Sequence, residues 1–206
     1  FAISKAAVTV SESGASETFT VVLTARPLST VVLSAVSANT SEATVTPAQL
    51  SFSAATWNTP QTITVRGVDD FRLDGNQTTT VTVAVSDALS NDAWDPLADQ
   101  TVSVTNLDND AAGFVLSKSD VAVTEGGGAD TFTVVLTAQP EPNVVLLLSS
   151  GNPAEAAVSP LSLAFTSGNW NVPQTVTVTG VDDFRIDGPQ TASITVRVDA
   201  AGSDDH

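Results

Sequence analysis

The chain has 206 residues, with 23 acidic residues against 7 lysines and arginines and a formal net charge of −16. A surface of this charge repels a phosphate backbone and anionic lipid, so nucleic-acid binding is not expected. Membrane insertion is not expected either, because no segment approaches 18 uninterrupted apolar residues. The chain has no cysteine and 42% hydrophobic residues, so its stability is expected to come from a well-packed core, a bound metal, or both.

Apolar residues alternate with threonine and serine along most of the chain. In the segment 18–24, Phe19, Val21 and Leu23 share one face and threonines occupy the other. This period of two is typical of half-buried antiparallel strands. In chain order, the pattern predicts strands near residues 6–10, 17–25, 30–36, 42–46, 48–53, 61–67, 79–86 and 100–105. Seven or eight strands in about 110 residues predict an all-β, immunoglobulin-like antiparallel sandwich of Greek-key type.

The sequence repeats itself without a gap. Phe1 falls on Phe114, Trp57 on Trp170, and Asp74-Gly75 on Asp187-Gly188, a constant shift of 113 residues. Self-similarity over this length indicates two copies of one domain. We therefore expect two tandem sandwiches, residues 1–110 and residues 111–206.

The two copies are predicted to be unequal. The first continues through the strand near 100–105 and the run Asn106-Leu-Asp-Asn-Asp110, whereas the sequence ends where the first copy has Ala93. The second sandwich is thus expected to lack its last strand. Either a fragment boundary falls there, or a neighbouring chain supplies the strand, because an open sheet edge invites pairing.

The acidic residues concentrate at strand ends and connections instead of being scattered over strand faces. The candidate ligands among them are Glu12, Glu42, Asp69, Asp70, Asp74, Asp108 and Asp110 in the first copy, and Glu125, Glu155, Asp182, Asp183 and Asp187 in the second. Two carboxylates 4 Å apart near a protein surface repel by about 4 kcal/mol, so such a cluster favours a bound cation. Hard oxygen ligands without histidine or cysteine favour Ca²⁺. The main alternative for Asp74 and Asp187 is a structural Asp-Gly turn.

Three motifs together give the chain a family resemblance. They are Val10-Ser-Glu12 before a glycine-containing turn, Gly67-Val-Asp-Asp70 with Asp74-Gly75, and Asn106-Leu-Asp-Asn-Asp110. With these motifs the chain resembles tandem Calx-beta domains, which bind calcium in loops at one end of an immunoglobulin-like sandwich. The resemblance implies carboxylate ligands from Glu12, Glu42, Asp70, Asp74, Asp108 and Asp110, with the Arg72 carbonyl and Asp69 as further candidates. The chain departs from the family at Gln77 and Asn109, where acids are usual.

These features lead us to expect a calcium-binding extender repeat of a large secreted or cell-surface protein, and not an enzyme. Calcium would stiffen the joint between neighbouring repeats in an adhesin or matrix assembly. An enzyme is disfavoured because the one histidine is the terminal His206, so no Ser-His-Asp set can form. Two alternatives stay open: a carbohydrate-binding accessory module with Trp57 or Trp94 as an exposed platform, and fibre assembly by strand exchange with another copy.

Overall fold

The computed structural model describes residues 1–90, 93–183, 185–186 and 188–203. In this part of the chain the structure is all-β, with one short 3₁₀ turn at Asp87–Leu89. No helix there is long and apolar enough to cross a membrane. The chain forms two compact units: unit 1 comprises Phe1–Asp70 and Asp74–Asn109, and unit 2 comprises Phe71–Leu73 and the described residues from Asp110 onward.

Unit 1 contains a four-stranded and a five-stranded sheet, ordered β1-β3-β7-β5 and β2-β9-β8-β4-β6. The strands are β1 (Ala2–Ile3), β2 (Ala7–Ser11), β3 (Ser16–Val22), β4 (Val31–Ser37), β5 (Ala43–Thr46), β6 (Gln49–Phe52), β7 (Gln61–Gly67), β8 (Gln77–Val85) and β9 (Gln100–Leu107).

The alternating apolar residues of both sheets form the core of unit 1. Phe19 and Ile63 from the first sheet join Leu33 and Val83 from the second in one buried cluster. Threonines and serines occupy most of the intervening positions. The predicted immunoglobulin-like sandwich is therefore confirmed, and the period of two in the sequence is what assigns each side chain to a face.

One strand pair differs from the predicted antiparallel arrangement. β2 runs parallel to β9, with Val8 opposite Val104 and Val10 opposite Asn106. The reason is that the N-terminal segment forms two strands, of which only the second, β2, overlaps the strand predicted near residues 6–10. β1 pairs with β3 in one sheet, and after a short crossing β2 joins the edge of the other sheet. The parallel pair brings the C-terminal ends of β2 and β9 to the same end of the sandwich.

Unit 2 repeats the first sheet with the order β10-β11-β15-β13, but its second sheet has only β14-β12-β16 among the described residues. The strands are β10 (Phe114–Leu116), β11 (Ala129–Leu136), β12 (Val144–Ser150), β13 (Ala156–Ser159), β14 (Ser162–Phe165), β15 (Gln174–Gly180) and β16 (Ile194–Val198). The repeat counterpart of β9 would lie beyond residue 206. Phe132, Leu146, Phe165 and Val176 lie in the core of this unit.

Candidate metal centre

Three carboxylates meet at the end of the first sandwich. One carboxylate oxygen from each of Glu12, Asp69 and Asp110 lies within 4.8 Å of the other two. Glu12 is only 3% exposed, Asp110 is half-buried, and Asp69 is exposed. A buried carboxylate beside two others is costly unless positive charge or hydrogen bonds compensate it.

The ends of three strands determine where these acids lie. Glu12 directly follows β2, Asp69 lies two residues after β7, and Asp110 lies three residues after β9. The parallel pairing of β2 and β9 places Glu12 beside the segment that leads to Asp110, and the Glu12 N–H donates to the Leu107 carbonyl (3.1 Å).

Gly67 allows β2 and β7 to approach each other at this end. A Cβ on Gly67 would lie 2.5 Å from Asn106 Oδ1 and would also clash with the Ser11 carbonyl oxygen. Real Cβ atoms do not tolerate such contacts, so only glycine permits the approach. Because Ser11 precedes Glu12 and Gly67 precedes Val68-Asp69, this contact places Glu12 next to Asp69. Glu12, Asp69 and Gly67 also line a cavity of about 410 Å³.

The run after β9 is fastened by hydrogen bonds from two sides. The Gly75 N–H donates to Asp108 Oδ2 (2.8 Å), and the Asp108 N–H donates to Asn76 Oδ1 (3.1 Å). The Asn109 N–H donates to Glu12 Oε2 (3.3 Å). These bonds hold residues 108–109 against the first unit, so the position of Asp110 follows from an ordered segment.

Asn106 is a functional candidate that the sequence reasoning missed. It is fully buried, and its Nδ2 donates to the Val68 carbonyl (3.0 Å) and to Glu42 Oε2 (3.4 Å). Asn106 therefore links β9 to Val68, which directly precedes Asp69, and to Glu42. The period of two could have identified it. Val102, Val104 and Asn106 occupy successive inward positions of β9, and a polar residue such as Asn106 is unusual at an inward position.

The other predicted ligands of the first copy lie outside this three-acid group. Glu42 and Asp70 are half-buried, and Asp74 is exposed. Gly75 has φ +73°, which fits an Asp-Gly turn at Asp74. Arg72 is exposed in the segment 71–73 that clusters with unit 2. Whether these residues, or Asp108, contribute ligands stays a prediction.

The second copy presents its acids differently. Glu125 and Glu155 are half-buried and Asp182 is exposed. Asp183 Oδ1 accepts a hydrogen bond from the Arg185 N–H (2.9 Å), and Asp187 lies outside the described residues. In the part of the chain that the structure describes, the three-acid group around Glu12 is not repeated around Glu125. In the repeat alignment Glu125 and Asp182 match Glu12 and Asp69, and Asp110 has no counterpart within the 206 residues.

The spacing of the three-acid group suits one calcium ion. Ca²⁺–oxygen distances are about 2.4 Å, so two ligands on opposite sides of an ion lie about 4.8 Å apart. The oxygens of Glu12, Asp69 and Asp110 fall within that limit. Ca²⁺ takes six to eight oxygen ligands, so backbone carbonyls or waters would complete the shell.

No known family model matches the chain, and no curated protein matches it. Solved structures with a similar fold include the calcium binding domain CBD12 of CALX1.1 (15% identity, TM-score 0.40, covering 97% of this chain and 79% of that one). They also include the E. coli chaperone DraB (11% identity, TM-score 0.40, 98% and 93%) and SSP-19, an MSP-domain protein like family member of Caenorhabditis elegans (16% identity, TM-score 0.37, 50% and 94%). Similarities at this level carry no argument about ligand or activity.

Proposed function

We propose that the chain is a calcium-binding structural repeat of a secreted or cell-surface protein, in which the first sandwich binds Ca²⁺ through Glu12, Asp69 and Asp110. The observation that carries the proposal is the convergence of three carboxylate oxygens within 4.8 Å, one of them from a glutamate that is 3% exposed. A hard divalent cation is the ligand whose charge and radius fit such a group. The Calx-beta-like motifs in the sequence support the same proposal.

The consequence of binding is mechanical. Asp110 lies in the segment that leads from the first sandwich into the second, and Glu12 and Asp69 lie on the sandwich itself. An ion shared by the three fastens that segment and restricts the freedom of the joint. A stiffened joint is what an extender repeat of an adhesin or matrix protein requires. Neighbouring repeats and calcium are then the main partners.

Calorimetry of the intact chain with and without calcium tests the proposal. Ligand present at 100 times its dissociation constant stabilises the folded state by about 2.7 kcal/mol, so calcium is expected to raise the melting temperature of the first unit. Glu12→Gln should abolish that rise. Amide relaxation at residues 108–113 should also show slower motion in calcium than in chelator.

Glu125→Gln is the matched control, because Glu125 is the repeat counterpart of Glu12. The second copy has no counterpart of Asp110 within the 206 residues. Glu125→Gln should therefore leave the calcium effect intact. In chelator, the melting temperature of Glu12→Gln should be no lower than that of the unaltered chain, because the substitution removes a repulsive charge. This measurement distinguishes loss of the ion from loss of folding. Equal melting in calcium and chelator, or equal effects of the two substitutions, would contradict the proposal.

Among the described residues, the tryptophans give no observation in favour of a carbohydrate platform. Trp57 and Trp94 are half-buried and pack against the core of unit 1, and Trp170 packs in the same way in unit 2. A flat sugar-binding surface requires an exposed indole face, so the calcium proposal is the one with a site to carry it.

A further inference from the structure

A polar side chain lies inside the first sandwich, at the end where the acids meet. Asn106 is 0% exposed and occupies the inward position of β9 that follows Val102 and Val104. Most inward positions of this sheet hold valine, leucine, phenylalanine or alanine. An amide buried among them loses its hydration, and hydrogen bonds on each of its polar atoms are expected to compensate that loss.

The Asn106 amide is compensated on one side only. Its Nδ2 donates to the Val68 carbonyl (3.0 Å) and to Glu42 Oε2 (3.4 Å), whereas its Oδ1 has no hydrogen-bond partner among the described residues. The two neighbours determine which way the amide faces, because a carbonyl and a carboxylate both require a donor. A buried acceptor without a donor costs stability. Valine, which the strand pattern favours at this position, would avoid that cost.

Gly67 provides the space for this amide. A Cβ on Gly67 would lie 2.5 Å from Asn106 Oδ1, so any larger residue would displace the side chain. The Gly67 N–H donates to the Ala15 carbonyl (3.2 Å) and is therefore not available to Oδ1. Asn106 and Gly67 thus form a size-matched pair at the end of β7.

The donor side of the amide holds the residue directly before Asp69. Because β7 ends at Gly67, Val68 is the first residue beyond the strand. Its N–H donates to the Glu42 carbonyl (3.0 Å), and its carbonyl accepts from Asn106 Nδ2 across the sandwich, since β9 and β7 belong to different sheets. The Val68 carbonyl is part of the planar peptide unit that leads to Asp69, so the bond from Asn106 fixes the start of that residue.

We propose that Asn106 is a positioning residue of the calcium site, which directs Asp69 toward Glu12 at a cost in the stability of the metal-free protein. This inference rests on the proposed function, in which Glu12 and Asp69 are ligands. The cavity beside these two acids is lined by Gly67 and Val68 but not by Asn106, so Asn106 acts through the Val68 peptide and not on the ion. Removing groups that orient metal ligands in this way typically weakens metal binding by about 10- to 100-fold.

A purely structural role for Asn106 makes the opposite prediction. If the bond across the sandwich served mainly to hold the two sheets together, replacing Asn106 would destabilise the metal-free protein. If the amide serves the site, valine in its place should leave the metal-free protein equally stable. The buried acceptor without a donor disappears, and Val68 and Glu42 are half-buried, so water can take over their lost hydrogen bonds.

Calcium titration calorimetry and thermal unfolding of the intact chain test the proposal with Asn106→Val. The substitution should weaken calcium binding by about tenfold or more and change the melting temperature in chelator by less than about 3 °C. Val104→Ala, at the preceding inward position of β9, is the matched control and should show the reverse. It leaves a cavity in the core, so it should lower the melting temperature by about 5 °C or more and leave the calcium dissociation constant unchanged.

An NMR measurement in chelator tests the positioning without calcium. The order parameter of the Asp69 amide should fall from about 0.85 in the unaltered chain toward about 0.6 in Asn106→Val. The amides of β7 should not change, because pairing with β3 and β5 holds them.

Two results would overturn the proposal. One is an Asp69 amide that stays equally ordered in Asn106→Val, and the other is a lowered melting temperature in chelator with an unchanged calcium dissociation constant. If the unaltered chain did not bind calcium, that result would contradict the proposed function. The order parameter of Asp69 in chelator would still decide whether Asn106 positions that residue.

Discussion

The two repeats share most of their core sequence and most of their strands, yet two matching segments differ in secondary structure. Val8 and Val10 lie in β2 of unit 1, whereas the identical residues Val121 and Val123 of unit 2 are not in a strand. Residues 77–80 and 190–193 differ in the same way. In each case the segment of unit 1 lies beside β9. A strand therefore extends as far as its neighbours pair with it, and intrinsic propensity alone does not decide its length.

The same difference affects the acidic end of each sandwich. Glu12 approaches Asp69 and Asp110 because β2 is held parallel to β9 and because residues 108–109 are hydrogen-bonded to the first unit. Glu125 follows a segment that no strand holds, and it has no trailing acids within the 206 residues. The β9 strand thus determines both the extent of the sheet and the assembly of the three-acid group.

The largest difference in stability loss between the repeats is expected when alanine replaces Gly67 or its repeat counterpart Gly180. A Cβ on Gly67 would clash with the Ser11 carbonyl, which is fixed in β2, and with Asn106 Oδ1. A Cβ on Gly180 would clash with the Thr124 carbonyl, which lies in a segment that no described strand pairs with. Overpacking costs of this kind lead us to expect about 3 kcal/mol for Gly67→Ala and about 1 kcal/mol for Gly180→Ala. Urea unfolding followed separately in each unit by NMR measures both, and equal losses would contradict the explanation.

A smaller difference in stability loss is expected when alanine replaces Val83 or its repeat counterpart Val196. Val83 is fully buried in β8, between β4 and β9, whereas Val196 is half-buried against the core of unit 2. Removing two buried methyl groups costs about 2 kcal/mol including the cavity, and less where solvent already reaches the site. We expect about 2 kcal/mol for Val83→Ala and about 1 kcal/mol or less for Val196→Ala in the same unfolding experiment. A loss at Val196 as large as at Val83 would show that β16 is packed as tightly as β8.

Much of the fold could be predicted from the sequence because half-buried strands leave a clear alternation. The predicted segment 61–67 coincides with β7, and 79–86 overlaps β8 at Gln77–Val85. Strand β1 was not predicted, because its two residues are too few to show an alternation. The sheet that Ala7–Ser11 joins could not be predicted either, because the segment presents the same alternation to either sheet. Its pairing with β9 determines the sheet, and no local pattern encodes a contact across about a hundred residues.

The candidate site was predictable as a region but not as a set of ligands. Strand ends predicted which end of the sandwich would be acidic, and Glu12, Asp69 and Asp110 all belong to the predicted residues. The family resemblance ranked Asp70 ahead of Asp69, yet the structure brings Asp69 into the three-acid group. Adjacent residues after a strand point in different directions, and the close contact at Gly67 decides which one faces Glu12. That contact depends on tertiary packing, which sequence spacing does not contain.

The smallest expected effect on stability concerns a lysine–carboxylate ion pair that both repeats contain. Lys5 Nζ lies 2.6 Å from Glu17 Oε1, and its counterpart Lys118 Nζ lies 2.6 Å from Asp130 Oδ1. The hydrogen bond from Lys5, together with one from the Thr9 N–H, lowers the pKa of Glu17 below its ordinary value of 4.5. Lys118, with the Thr131 N–H, lowers the pKa of Asp130 below 3.8. A carboxylate with a lowered pKa contributes stability above its unfolded value, and loses it as the pH falls through the folded value.

Lys5→Met and Lys118→Met should therefore raise the pKa of Glu17 and of Asp130 toward those ordinary values, each in its own unit only. The stability difference from the unaltered chain should be present in full above about pH 4.5 in the first unit and about pH 3.8 in the second. It should decline below these values and vanish once the pH has fallen through the lowered pKa of the folded state. Both pairs are solvent-exposed, so this contribution is small. Side-chain carboxyl shifts followed by NMR across an acid titration measure each pKa. An unchanged Glu17 pKa in Lys5→Met would assign the shift to the Thr9 N–H instead, and a response in one repeat alone would show that β9 influences even this distant pair.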